Sequence, residues 1–439
     1  MQELKNLMQN LGITGAGGAG FPSYAKLAEG ANLLLINGAE CEPLLYTDYV
    51  ILKNELPFVL SGIDKILTHT GIPKALIAIK EHNAKALGYI EGERLSDKIY
   101  IKVLPDVYPI GDEIGLIYEA TGRLVKPGKL PITQGIIVYN VETMYDLGRG
   151  IRFSEPVTKK WVTIGGAVDT PVVIKVPIGA KIADILKKLN IEVKEGYSLI
   201  DGGPSMGKII NPNTYSVTKT TKGILILPDT TQAILSKKTN PKMAIARAET
   251  ACCQCTRCTD MCPRFLLGYP LEPHKMVRTA MTVAEAMPEM VLSATLCCGC
   301  GICESLACNQ GISPKAVIDN YKAVLAKNKR RFDLDGNYSV RSEREYRLVP
   351  YKKWMSMLGI SKFDKAADFY GEIDEFNRVE ISLSSHIGAP SVACVSDGDK
   401  VLKGDLIAKA NNGLSLPQYA TIDGTVTLAD NKIIIDKVR

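Results

Sequence analysis

The sequence predicts a multidomain protein of α/β plus α class. It should hold an α/β domain, a small β-rich unit with one helix, an α-helical cysteine-bearing unit and a C-terminal barrel-sandwich β module. Three observations predict this. Apolar strand-like runs alternate with helical segments over residues 56–140, the pattern of a layered α/β architecture. Two cysteine runs then lie in a stretch of helical periodicity. Short strands broken by turns close the chain. The boundaries read as 1–150, 151–235, 243–330, a linker over 331–378, and 379–439.

A chain of 439 residues has room for about three or four domains. Its 46% hydrophobic and 23% charged residues are those of a soluble globular protein. The net charge of +6 is modest and spread out, which argues for acidic partners and not for nucleic acid as such. No run approaches the ~18–20 apolar residues of a membrane helix, so no direct membrane insertion is expected. Twelve cysteines without an export signal imply a reducing cytoplasm.

Leu4, Leu7, Met8 and Leu11 have the i, i+3, i+4, i+7 spacing of an amphipathic helix. It either packs on its own domain or docks to a partner. Next stands a loop with Gly15, Gly17, Gly18 and Gly20, ending in Phe21 and Pro22. Such a loop lets backbone approach a ligand, and a helix starting after it would suit a phosphate. The run from Leu33 to Ile36 reads as a buried strand. Polar residues follow it (Asn37, Glu40, Cys41, Glu42) at the strand's carboxyl end, where open α/β sheets bind ligands. Gly111, Asp112 and Glu113, then Asn140, Glu142 and Thr143, also come after strand-like runs.

From Thr163 to about Leu227 the texture is β-branched with Gly and Pro punctuation, and a helix is expected from Ile182 to Leu189. A second glycine loop holds Gly202, Gly203 and Gly207.

Cys252, Cys255, Cys258 and Cys262 before Pro263 are spaced C-x2-C-x2-C-x3-C-P. Cys297, Cys300, Cys303 and Cys308 repeat the pattern with one more residue before the last cysteine. Each run can supply three thiolates to a [4Fe–4S] cube, and the fourth usually ligates the other cube. Two clusters able to exchange electrons are implied. Zinc ribbons use C-x2-C pairs but have no use for the third cysteine, and C-x2-C spacing is short for structural disulfides. Cys253 and Cys298 are either register alternatives or buried thiols near the clusters, while Cys41 and Cys394 read as ordinary thiols. The spacer carries Met276, Ala280, Val283 and Ala286 at helical period, so an α-helical ferredoxin is expected. Lys327, Lys329, Arg330 and Arg331 read as a solvated helix end.

At the C-terminus, residues 396–407 read as a hairpin and 422–426 as a similar turn, suggesting a flattened barrel of the biotinyl/lipoyl type. No Met-Lys-Met-like tip is present, so a swinging-arm lysine is not expected.

The glycine loop with Lys26, the segment from Asn37 to Pro43, Gly111–Asp112–Glu113 and Asn140–Glu142–Thr143 together resemble the NADH-oxidising flavoprotein subunit of complex I. Ala39 and Cys41 stand where that family has an acidic residue and a serine. Its single-cluster motif is replaced here by two runs and a β-grasp-like ligand-binding module. The whole arrangement is similar to the RnfC component of the Rnf complex. It is closer to the cobalamin reductases of propanediol-utilisation microcompartments, because the barrel-like segment around His386 comes last rather than first.

The resemblance implies FMN held by Gly15, Gly17, Gly18, Gly20, Lys26, Asn37, Glu40, Gly111, Asp112, Asn140 and Thr143. Glu42 and Glu113 would orient NADH, and the eight run cysteines would ligate two [4Fe–4S] clusters. It also implies cobalamin as acceptor, cobalamin or an adenosyltransferase as partner, and a place inside a microcompartment in contact with shell proteins. Three alternatives stay open: an electron-entry subunit serving a protein partner, a relay or scaffold without flavin, and an iron–sulfur protein binding nucleic acid. The last draws on the basic residues at 327–331 and 341–347, yet Glu343 and Glu345 interrupt the second run and no aromatic stacking pattern accompanies it. His69, His82, His274 and His386 form no corrin-binding motif, and His386 reads as a structural residue.

Overall fold

The computed structural model describes residues 1–279 and 289–438; the expected helical positions Ala280, Val283 and Ala286 lie outside them. A parallel sheet organises the first domain. Its strands are β1 (Leu33–Asn37), β2 (Ala75–Lys80), β3 (Ile99–Leu104) and β5 (Ile136–Asn140), in the order β3-β2-β1-β5. A short strand β4 (Val107–Tyr108) lies apart from it. Apolar side chains cover both faces of the sheet, as continuous Leu/Ile/Val runs require of buried parallel strands. Leu34, Ile36, Ile77 and Ile79 point into one core, and Leu33, Leu35, Leu76 and Ala78 into the other.

The N-terminal helix, Gln2–Asn10, buries Leu4 and Met8 completely in the first of these cores. Of its two readings, packing on its own domain is the one the structure takes.

The second unit has strands β6 (Lys159–Gly166), β7 (Val172–Pro177), β8 (Tyr197–Asp201), β9 (Lys208–Ile210) and β10 (Gly223–Pro228), with one helix, Ile182–Lys188. A hairpin, the helix, a second hairpin and a last strand parallel to β6 give the order β7-β6-β10-β8-β9.

Between 241 and 327 the described residues form short helices joined by loops, with no strand among them. Asn240 caps the first helix, Pro241–Ala251, and Ser313 caps the last, Pro314–Lys327, each accepting a backbone N–H that the helix start leaves unpaired.

Two expectations need correction. The stretch 331–378 is no tether: β11 (Val349–Pro350) pairs with β4, and β12 (Asp368–Glu372) extends the second unit's sheet beside β7. Nor is 396–407 a self-paired hairpin. The C-terminal module is a sandwich of two sheets built from β13 (Arg378–Ser382), β14 (Val392–Ala393), β15 (Lys400–Val401), β16 (Leu406–Lys409), β17 (Gln418–Tyr419), β18 (Gly424–Ala429) and β19 (Lys432–Asp436). β15 joins β18 in one sheet, and β16 joins β14 and β17 in the other. The sheets do not close into a barrel, and the module shares a core with the second unit through Ile182, Ile224, Val379 and Ile433. Among the described residues no helix is long and apolar enough to cross a membrane.

Candidate functional site

The register of the parallel sheet brings the expected ligand residues to one edge. Asn37 pairs with Asn140 across β1 and β5 and with Ala78 across β1 and β2. By the alternation of strand side chains, Asn37 and Asn140 stand on the face of Leu35, Ala78 and Val138. The Asn37 amide donates to the Gly111 carbonyl at 2.9 Å and accepts from Ala39 N–H. Asn140 caps the helix Val141–Phe153 through Glu142 N–H and donates to Asp48 at 2.8 Å. These bonds draw three separate segments together.

The glycine loop folds over the same edge. Gly15 N–H donates to the Phe21 carbonyl, Ala16 N–H donates to Thr143 Oγ1 at 3.1 Å, and a Cβ on Gly17 would lie 4.0 Å from that of Asn140. Gly18 has φ +103, and nothing lies within 4 Å of where its Cβ would stand. The helix expected after the loop is only a 3-10 turn, Ser23–Lys26. Lys26 bonds Glu113 at 2.9 Å and the Val138 carbonyl at 3.1 Å, so two expected site residues meet as an ion pair.

Glu40 and Asp112 serve the architecture. Both Glu40 carboxylate oxygens accept from the start of the helix Thr47–Asn54: Thr47 Oγ1 and Asp48 N–H on one, Tyr49 N–H on the other. Burial, with Asp48 nearby, pushes its carboxyl up to about 7. Asp112 caps the helix Glu113–Thr121 and pairs with Arg264 of the cysteine-bearing unit at 2.7 Å. Arg264 and Asp112 are both largely buried, at 12% and 15% side-chain exposure.

Glu42 reaches across domains. Its carboxylate accepts from Ser205 N–H at 2.9 Å and lies 3.3 Å from the Tyr108 hydroxyl, and burial raises its pKa. A Cβ on Gly203 would meet Glu42 Oε2 at 2.0 Å, so only glycine fits there. Tyr108 donates to the Cys300 carbonyl at 2.9 Å and stacks on Trp354 at 4.7 Å, whose Nε1–H reaches Ser205 Oγ. The second glycine loop, the strand-end segment and the second cysteine run therefore meet at Glu42 and Tyr108.

The cysteines divide into two groups that cross the runs. Cys252, Cys253, Cys255, Cys258 and Cys308 line one cavity with His274. Burial pushes the Cys258 thiol up to about 12, helped most by Cys308 and then Cys255. Cys262 instead has Cys297 and Cys298 as its thiol neighbours, and Cys300 has Cys298, Cys262 and Cys303. Thus the last cysteine of each run sits with the other run. Among the described residues no three His, Cys, Asp or Glu side chains gather round a single ion. The donor set is sulfur, and it is spread round a cavity, which fits iron–sulfur clusters. Cys41 packs against the apolar clusters that hold Cys262 and Cys300.

Sequence reasoning missed several residues. Lys222, from the second unit, bonds Asp48 at 2.6 Å and Glu142 at 3.2 Å, and Lys160 bonds Glu142 at 2.7 Å. These buried pairs fasten the second unit behind Asn140. Lys80 ends β2 with 1% exposure; its one sequence signal is a charge at the carboxyl end of an apolar strand. The basic residues of 341–347 are internal ties: Arg344 to Glu119, Arg347 to Asp260, and Arg341 over the Phe265 ring. His386 accepts from Leu416 N–H, in the structural role expected of it.

Residues 8–149 match the family model of the Nuo51 FMN-binding domain, 251–313 that of a 4Fe-4S dicluster domain, and 370–436 that of the RnfC barrel sandwich hybrid domain. Fold and site together define a flavo-iron–sulfur oxidoreductase. The chain belongs to the family of the cobalamin reductase PduS. It is 37% identical to the cobalamin reductase PduS of Salmonella typhimurium over 434 residues, spanning 98% of this chain and 96% of that protein. It is 35% identical to that of Citrobacter freundii, spanning 97% and 94%. A component of the proton-translocating ferredoxin:NAD(+) oxidoreductase complex of Clostridium ljungdahlii is 31% identical over 61% of this chain and 57% of its own. Among solved structures, an NAD+-reducing [NiFe]-hydrogenase in the H2-reduced state covers 80% of this chain and 63% of its own, at 18% identity and a TM-score of 0.46.

Proposed function

We propose that the chain passes electrons from NADH, through FMN and two [4Fe–4S] clusters, to cob(III)alamin or cob(II)alamin. The observation that carries this is the junction at Tyr108, whose hydroxyl bonds the Cys300 backbone beside Glu42 of the strand-end segment. A donor site and a thiol cluster share a wall there.

FMN fits the edge where Gly18 leaves open space and Lys80 presents a buried ammonium. It would supply the conversion of a two-electron hydride into single electrons. The loop of Gly15, Gly17, Gly18 and Gly20 would hold it, fixed by Thr143, with Lys26 toward its phosphate and Asn37 and Asn140 toward the ribityl and ring. Gly111 accepts from Asn37 through its carbonyl, and Asp112 anchors that turn on Arg264. Glu40 shapes the segment by capping its helix. Glu42 and Glu113 would orient NADH, a positioning role.

Cys262, Cys297, Cys300 and Cys303 would bind the cluster next to this site. Cys252, Cys255, Cys258 and Cys308 would bind the outer one, from which cobalamin, free or on an adenosyltransferase, takes electrons. The same reading would place the chain within a microcompartment, with shell proteins nearby.

The test is an anaerobic absorbance titration of iron-replete, FMN-loaded protein with NADH, followed by hydroxocobalamin. Flavin and cluster bands should bleach, and cob(II)alamin should form faster than in a protein-free control. Bleaching without cobalamin reduction would transfer the acceptor role to a protein partner. No bleaching would refute NADH as donor.

A further inference from the structure

Lys80 borders the flavin edge but has no assigned role in the route just described, and it is an unusual residue. It is 1% exposed and closes β2 one strand repeat beyond Ala78, the pairing partner of Asn37. Alternation puts it on the same face and edge as Asn37 and Asn140. Among the described residues no carboxylate pairs with it. Asp106 is taken by His82, Asp364 by the Tyr46 hydroxyl, and Glu40 by its helix. Its Nζ rests 3.7 Å from the centroid of the Tyr351 ring, a cation–π contact that offsets part of the lost hydration. A buried ammonium without an anion is costly, and here it stands at the ligand edge of a parallel sheet. Burial brings its pKa down to about 8, which leaves it charged at neutral pH.

We propose that Lys80 is the charge-compensating residue of the flavin site, its ammonium stabilising the negative charge that hydride transfer leaves on the pyrimidine end of FMN. This rests on FMN and NADH acting as proposed above. The hydride carries two electrons and one proton from nicotinamide C4 to flavin N5. A C–H bond breaks, an N–H bond forms and NAD+ departs. The flavin is left with one negative charge shared by N1 and O2, and no proton from solvent is required. A fixed cation beside that charge favours the reduced form over the oxidised one.

Sulfite tests this without NADH, clusters or cobalamin, because it adds to flavin N5 and leaves the same charge. FMN-loaded wild type, Lys80→Met, Lys80→Gln and Lys80→Arg would be titrated with sulfite, and their flavin midpoints measured by spectroelectrochemistry. Met and Gln should weaken sulfite binding at least tenfold and leave the affinity for oxidised FMN within twofold. The flavin midpoint should fall by about 30 mV for a tenfold effect on a two-electron couple. Arg should retain most of the wild-type behaviour. Sulfite affinity and midpoint within twofold of wild type in a folded Met or Gln variant would overturn the proposal. So would an effect confined to NADH affinity, which would place Lys80 on the nucleotide phosphates. Failure of wild type to bind FMN would overturn the flavin reading itself, and is distinguished by the binding isotherm.

Discussion

Cys262, Cys300 and Cys303 are buried and Cys297 half-buried, whereas Cys255 is exposed and Cys252, Cys258 and Cys308 are half-buried. The two groups come from runs of nearly the same spacing. The inner group is enclosed by the flavin-type domain, through Tyr108, Asp112 and Cys41. Among the described residues, the cavity of the outer group is lined by its own helical unit, at Val277, Ile312 and His274. Spacing therefore reports what a cysteine run can ligate, and surroundings report its place in an electron route. An inner relay needs contact with the donor site; an exit needs a surface.

The comparison breaks most sharply at the inner group. Cys300→Ala should lower cobalamin reduction by NADH to the protein-free rate while flavin bleaching survives, read by stopped-flow absorbance. Loss of both in a folded variant would remove the inner group from between donor and exit. Next in size is Arg264→Leu, which leaves Asp112 buried and unpaired. Breaking such a pair typically costs about 3–5 kcal/mol, read as a lower unfolding midpoint. The inner cluster's EPR signal should suffer and the outer one's persist.

Exposure makes a smaller, kinetic distinction. Anaerobic treatment of the loaded protein with a chelator should remove iron in two phases. The faster should belong to the group of Cys255, and a single phase would mean that burial does not separate the two.

The smallest effect concerns Lys219, where the second unit meets both chain ends. It donates to the carbonyls of Gly12 and Pro417, and burial pushes its pKa down to about 7 from its ordinary 10.5. The unfolded chain holds that proton where the folded one does not, so stability rises with pH between about 7 and 10.5 and is lost as pH falls toward 7. Lys219→Met should flatten this slope in pH-dependent melting, and the cysteine groups should be indifferent to it. An unchanged slope would mean that Lys219 stays charged when folded.

Much of this was legible in the sequence. The cysteine spacing, the glycine loop and the strands at Leu33, Ala75, Ile99 and Ile136 each carry local signals, and pairing merely assembles them. What escaped depends on partners far along the chain. Glu40 looked like a ligand because it follows a strand, but its partners at Thr47, Asp48 and Tyr49 belong to a helix start that no capping signal announces. Residues 331–378 looked like a linker because β11 and β12 are short and pair with strands some 200 residues earlier. The supposed hairpin at 396–407 has turn residues suited to one, and only the competing pairing with β18 rules it out. Lys80 was passed over because a lone lysine is by default solvated, and burial is not visible in one sequence.

The most direct measurement is EPR of Cys255→Ala under an anaerobic NADH titration. The flavin should bleach and one reduced [4Fe–4S] signal should appear, that of the inner group, while cobalamin reduction is lost. No NADH-reducible cluster in Cys255→Ala, with one retained in Cys300→Ala, would contradict the inner-to-outer order.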